Sequence, residues 1–152
     1  EYAKQYHWSQ PIFRQSDLIV SLRDDKTDTP IRSLQDLKGK RIGTVLNFVY
    51  PALAPHFESS SVVREDAGSG ASNLEKLFSL RIPFIILNNL EYQYYESKNP
   101  RLQRAPLKID PVDVKCAVSK KADLKIHEVD AAIQDLQSSG RMQKIFAPPY
   151  EP

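Results

Sequence analysis

The stretch IPFIILNN at positions 82–89 limits this chain more than any other: a continuous apolar run that stops at two asparagines. A strand apolar on both faces must be covered on both, as happens in the centre of a parallel sheet with helices on each side. The neighbouring sequence agrees with that placement. KRIGTV (40–45) and SVVRED (61–66) read as strands, and GSGASNLEKLFSL (68–80) as a Gly/Ser turn and a helix. Leu74, Leu77 and Phe78 fall on one face of that helix. LEYQYYESKN (90–99) reads as a helix stopped at Asn99-Pro100, and 102–106 as a weak strand. Asn47 stands as a possible N-cap for a helix reaching toward Ser59, in which Pro51 is tolerable and Pro55 forces a kink. The alternation over 40–106 predicts an α/β fold with a small open, mostly parallel sheet flanked by helices.

Other elements bracket this unit. DLIVSL (17–22) reads as a strand and RDDKTDTP (23–30) as a polar turn-rich connection. Ser33 and Asp36 form a capping box for one helical turn that ends at Gly39. Val112–Ser119 reads as one further strand, which with 17–22 could connect two lobes. Ile126, Val129, Ile133 and Leu136 mark an amphipathic helix ended by Gly140, and Met142, Ile145 and Phe146 begin a last short helix.

Composition narrows the function. The chain has 152 residues, 41% hydrophobic and 26% charged, which suits one globular domain or two small lobes. The net charge is +2 with basic residues spread along the chain, whereas a nucleic-acid partner calls for clustered Lys and Arg. No apolar run approaches a membrane span. Cys116 is the single cysteine and reads as a buried, inert thiol, so neither an internal disulfide nor a thiolate zinc site is expected. His7, His56 and His127 lie far apart without ligand spacing, and no metal or cofactor motif is visible. The opening EYAKQYHWSQ lacks a signal-peptide pattern.

Four segments together carry a resemblance: SLQDLKGKRIGTV (33–45), NLEKLFSLRIPFIILNN (73–89) with EYQYY (91–95), VDVKCAVSKKADL (112–124) and VDAAIQDLQSSGRMQKIF (129–146). In that order they resemble the type II periplasmic solute-binding proteins, more narrowly the family-3, amino-acid-type substrate-binding proteins of ABC importers. YHWSQPIFRQSDLIV (6–20) resembles the segment that ends the first lobe of such proteins. The resemblance implies a periplasmic-binding-protein-like II fold divided as follows. Residues 1–22 are the end of the first lobe and a hinge strand, 23–111 a complete second lobe, 112–120 the return hinge strand, and 121–152 C-terminal helices of the first lobe. Most of that first lobe would lie outside this chain. Val20–Arg23 and Val112–Val114 are then the hinge candidates. The implied function is capture of a small polar ligand, an amino acid or related metabolite, between two lobes for an ABC importer. Its implied setting is the periplasm or the cell exterior, with a signal peptide removed and a membrane permease as partner. The same module also serves as the sensing domain of membrane receptors.

In open α/β sheets ligands bind beyond the carboxyl ends of the strands. Three loops meet that description: Asn47–Val49, Gly68–Ala71 and Leu87–Asn89. The candidate ligand-binding residues are therefore Asn47, Phe48, Val49, Ser69, Gly70, Asn88 and Asn89. Asn47 reads equally as cap or contact, Phe48 equally as core or stacking wall, and Ser69 with Ser72 more simply as turn and cap. Tyr92, Tyr94 and Tyr95 read as packing or surface residues, and Lys38, Lys40 and Arg41 as a solvated rim.

The resemblance also exposes departures. The first-lobe arginine that clamps a ligand carboxylate falls at Tyr2 or before the chain starts. The second-lobe carboxylate that pairs with a ligand amino group is matched by Asn88, whose amide lacks the charge. The usual small hydroxyl residues read Asn47-Phe48-Val49, although backbone N–H groups at a helix start can still hold an anion. The glycine before the central strand is Leu80 and its aspartate is Pro83. These changes point away from an ordinary α-amino acid. An enzymatic reading would rest on Glu65 and Asp66 as the nearby carboxylates. An uncovered stripe on the last long helix would lead the chain to self-associate.

Overall fold

The computed structural model describes residues 2–23, 30–109 and 111–146, with the backbone alone for Tyr2 and Ala3. Most of the turn expected over 23–30, and the side chain at Tyr2, lie outside the described residues. After a helical turn at Tyr2–Gln5 come strands Tyr6–Trp8 (β1), Phe13–Gln15 (β2) and Asp17–Leu22 (β3), then a second helical turn at Leu34–Leu37. Arg41–Val45 (β4), helix Ala54–Glu58 (α1), Val63–Ala67 (β5), helix Gly70–Phe78 (α2), Phe84–Asn88 (β6), helix Asn89–Lys98 (α3) and Leu102–Arg104 (β7) follow. Val112–Val114 (β8), Ala117–Ser119 (β9), helix Ile126–Ser138 (α4) and helix Arg141–Ile145 (α5) complete the chain. Two compact units result, residues 16–110 and residues 1–15 with 111–150.

The larger unit is a five-stranded sheet in the order β5-β4-β6-β3-β7. β4 pairs in parallel with β5 and β6, and β3 lies antiparallel between β6 and β7, so four strands share one direction. β6 occupies the place its sequence predicts. Phe84 and Ile86 enter the core on one face with Ile19, Ile42 and Leu53; Ile85 and Leu87 enter the core on the other with Val20, Leu74 and Leu77. Each such side chain contributes about 1.5–3 kcal/mol on burial.

β3, read from the sequence as an entering hinge strand, pairs within the sheet of the larger unit. DLIVSL is apolar toward both faces, Ile19 entering one core and Val20 and Leu22 the other. It therefore lies inside the sheet, with Asp17 opposite Asn88. The antiparallel direction brings the start of β3 to the carboxyl end of β6.

Between β4 and α2 the packing leaves no room for a side chain at Gly43. A Cβ there would sit 2.6 Å from Ile82 Cδ1 and 2.7 Å from Asn73 Oδ1. Asn73 is wholly buried and its Nδ2 donates to Thr44 O at 2.8 Å, tying the helix to the strand. Phe78, expected on the buried face of α2, is 36% exposed at the end of the helix.

No helix starts at Asn47, which corrects its reading as an N-cap. Its φ is 65°, a left-handed conformation that Asn tolerates, and Phe48 N–H closes the turn on Val45 O at 3.1 Å. The helix begins only at Ala54, where Pro55 falls in the first turn and needs no intrahelical acceptor.

In the smaller unit the expected strand 112–119 divides. β8 pairs with β2 and β9 with β1, giving two antiparallel ribbons. Pro11, which has no N–H, lies between β1 and β2, and the facing chain leaves the ladder at Lys115 and Cys116. The corner is held by Ser9, whose N–H donates to Cys116 O and whose Oγ accepts from Cys116 N–H. Cys116 is half-buried rather than buried, because it lies at this break.

α4 is not left open as expected. Ile133 is buried and Ile126, Val129 and Leu136 are partly covered. Gln10 N–H and Nε2 donate to Asp130 Oδ1 and O, while Gln137 Nε2 donates to Pro11 O and Ile12 O. Those bonds hold segment 10–12 against the helix. Gly140, at φ 70°, ends it as read from the sequence.

Candidate ligand-binding site

Because β4, β5 and β6 run parallel, the turn after β4, the start of α2 and the start of α3 emerge at one end of the sheet. Asn47, Phe48, Val49, Ser69, Gly70, Asn88 and Asn89 all lie there. Lys38, Lys40 and Arg41, by contrast, precede or open β4 and belong to the opposite end.

At α2, Ser69 is the N-cap, and its Oγ accepts from Ser72 N–H at 3.1 Å. Gly70 and Ala71 follow in the first turn, where N–H groups have no intrahelical acceptor. A Cβ on the buried Gly70 would lie 3.2 Å from Glu91 Oε1, so the Glu91 carboxylate stands beside the start of α2.

At α3, Asn88 Oδ1 accepts from Leu90 and Glu91 N–H, both at 2.9 Å, and Glu91 Oε2 accepts from Asn88 N–H at 3.1 Å. This is a reciprocal capping box. Asn89 Oδ1 accepts from Ser16 N–H, and Asn89 N–H donates to Ser16 O. The amide oxygens of both asparagines are thus committed to the frame, leaving their NH2 groups as the polar atoms to offer a ligand.

The charge lies on residues the sequence reading passed over. Asp17, opposite Asn88, is half-buried, and its carboxyl is pushed above the ordinary carboxylate range by burial and by the neighbouring Glu91 carboxylate. Tyr50 is buried beneath the turn after β4; its hydroxyl accepts from Val45 N–H at 3.0 Å, and burial pushes its phenol pKa up. Glu91 was signalled by the Asn-x-x-Glu spacing. Asp17 becomes visible only once β3 is known to run against β6.

The turn residues face outward. Leu46 is 55%, Phe48 59% and Val49 77% exposed, so Phe48 is a surface residue and not core. Tyr92 is buried and donates to Glu96 Oε1 at 2.8 Å; Tyr94 accepts from Lys98 and meets the Tyr95 ring edge-on.

The carboxylates considered for catalysis are engaged elsewhere. Glu65 pairs with Arg41, whose hydrogen bond lowers its pKa. Burial alone would raise Asp66, but hydrogen bonds from Arg64 Nε and Thr44 Oγ1 outweigh it and hold that carboxyl low. Both stay ionised at neutral pH, which suits neither to donate a proton. Among the described residues no group of three His, Cys, Asp or Glu side chains could hold a metal, and no helix is long and apolar enough to cross a membrane.

No family model and no curated protein matches the sequence. Solved structures do match. An amino acid ABC transporter substrate-binding protein from Streptococcus pneumoniae, AbpA, bound to L-arginine, superposes with a TM-score of 0.80 at 18% identity, over 95% of this chain and 60% of that one. The fold is periplasmic-binding-protein-like II. An ancestral arginine-binding protein bound to arginine gives 0.78 at 22% identity over 94% and 63% of the two chains. The GluR0 ligand-binding core in complex with L-glutamate gives 0.76 at 14% identity over 94% and 63%. This chain therefore spans about three fifths of the length of the structures it matches. Within this fold the open sheet is mixed: β5, β4 and β6 pair in parallel, and the reversed β3 pairs antiparallel with both β6 and β7.

Proposed function

We propose that this chain is part of an exported solute-binding protein that captures a small polar ligand and delivers it to an ABC-type membrane permease. Residues 16–110 are then the second lobe, and residues 1–15 with 111–150 belong to the first. The observation that carries the reading is the carboxylate pair Asp17 and Glu91 beside the first turns of α2 and α3. The first-turn N–H groups of α3 are taken up by Ser16 O and Asn88 Oδ1. Those of Gly70 and Ala71 in the first turn of α2 have no intrahelical acceptor and attract a carboxylate, and the acidic pair attracts an ammonium or guanidinium. That combination suits a zwitterion carrying extra positive charge. It restores, on other residues, the negative charge that Asn88 lacks. Two structural neighbours are described with arginine bound, which agrees with a cationic amino-acid-like ligand. Similarity to a ligand-binding core that holds L-glutamate supports a second setting, the sensing domain of a membrane receptor.

Calorimetric titration with L-arginine, L-glutamine and L-glutamate tests the reading. Arginine is expected to bind tightest and glutamate weakest. Preference for glutamate, or no heat with any of the three, would count against it.

A further inference from the structure

We propose that Arg64 is the positioning residue that fixes the turn 46–49 in its outward-facing form. Arg64 stands on the edge strand β5, and its guanidinium reaches under the turn that leaves the neighbouring β4. Nη2 donates to Val45 O at 3.1 Å and to Phe48 O at 3.0 Å, the two carbonyls on either side of the left-handed Asn47 and its partner Leu46. Nε donates to Asp66 Oδ1 at 2.9 Å, and the same oxygen accepts from the buried Thr44 Oγ1 at 2.8 Å. The guanidinium carbon lies 5.6 Å from the Tyr50 ring centre and 5.7 Å from that of Phe57. Tyr50 in turn accepts from Val45 N–H.

The turn's own bonds do not suffice to fix it. Phe48 N–H to Val45 O and Leu46 N–H to Ala67 O close it at one side only, while Leu46, Phe48 and Val49 lie exposed and contribute little packing. Asn47 sits in a backbone region that costs energy for any residue but glycine. The planar guanidinium supplies what is missing: two carbonyls bridged by one nitrogen, and a fixed orientation set by Asp66 and two aromatic rings. A lysine ammonium has the charge without the planar fork or the stacking. The network accounts for Thr44 being polar yet wholly buried, and for Asp66 being held ionised. Its consequence for ligand capture rests on the reading given above, in which this turn is a wall of the site.

Amide hydrogen exchange on the whole 152-residue chain without ligand reads the proposal directly. In Arg64→Ala the Phe48 and Leu46 amides are expected to exchange roughly tenfold faster or more, with the β6 amides of Ile85 and Ile86 nearly unchanged. Arg64→Lys is expected to restore little of that protection. Asp66→Asn, which keeps the guanidinium but loosens its anchor, should give a smaller acceleration confined to the same turn; it serves as the reporter if Arg64→Ala does not fold. Unchanged exchange at Phe48, full rescue by lysine, or equal acceleration in β6 would overturn the assignment. L-Arginine titration of the same variants keeps the two ideas apart. A wild-type chain that binds no arginine argues against the ligand reading, and the exchange data still decide what Arg64 does.

Discussion

Asp17 places a carboxylate where burial and the Glu91 charge both oppose ionisation. Its folded pKa lies above its unfolded value, so the folded state holds more protons across that window. The associated stability is complete below the unfolded pKa and is lost as pH rises through the folded one. Asp17→Asn removes that loss: the variant should be more resistant to urea than wild type at neutral pH, with the difference vanishing in acid. The reverse pH trend would show that Asp17 is paired with a cation in the free protein. The same substitution is expected to weaken a cationic ligand by about 1.5–3 kcal/mol, roughly tenfold or more, as befits loss of a charged hydrogen bond. Asn88 shows what single residues disclose. The end of the apolar run made it a candidate, while its role as the α3 cap, which the Asn-x-x-Glu spacing could have signalled, emerged only in the structure. Asp17 was hidden because its position depends on pairing with a strand distant in sequence.

Elements were legible where the pattern was local. β6 is apolar toward both faces and could only be central, and α2 presents Leu74 and Leu77 to one core. The split between β8 and β9 was not legible, since it follows from where Pro11 and the Ser9 corner fall on the partner strands. Nor was the turn after β4, where Arg64 and the left-handed Asn47 override a plausible helix start. Two substitutions test these elements. Gly43→Ala forces a Cβ into Ile82 and Asn73 and should cost about 1–3 kcal/mol, measured as a lowered urea midpoint with unchanged slope. Asn88→Ala removes the α3 cap and should cost about 0.5–2 kcal/mol; no loss would mean that Glu91 alone secures the helix start.

For the molecule as a whole, the resemblance fixed the fold while the residues at the site pointed away from its usual ligand contacts. The carboxyl ends of β4, β5 and β6, the start of β3 and the starts of α2 and α3 meet at one end of the sheet in residues 16–110. On the proposed reading, Asp17 and Glu91 supply there the charge that Asn88 cannot provide. The central claim is that this end receives a cationic, amino-acid-like ligand. Backbone chemical-shift mapping during L-arginine titration tests it most directly. Saturable shifts are expected at Asp17, Leu46–Val49, Ser69–Ala71 and Asn88–Glu91, all reduced in Asp17→Asn. An absence of shifts, or shifts gathered at the opposite end around Lys38–Arg41, would contradict the claim.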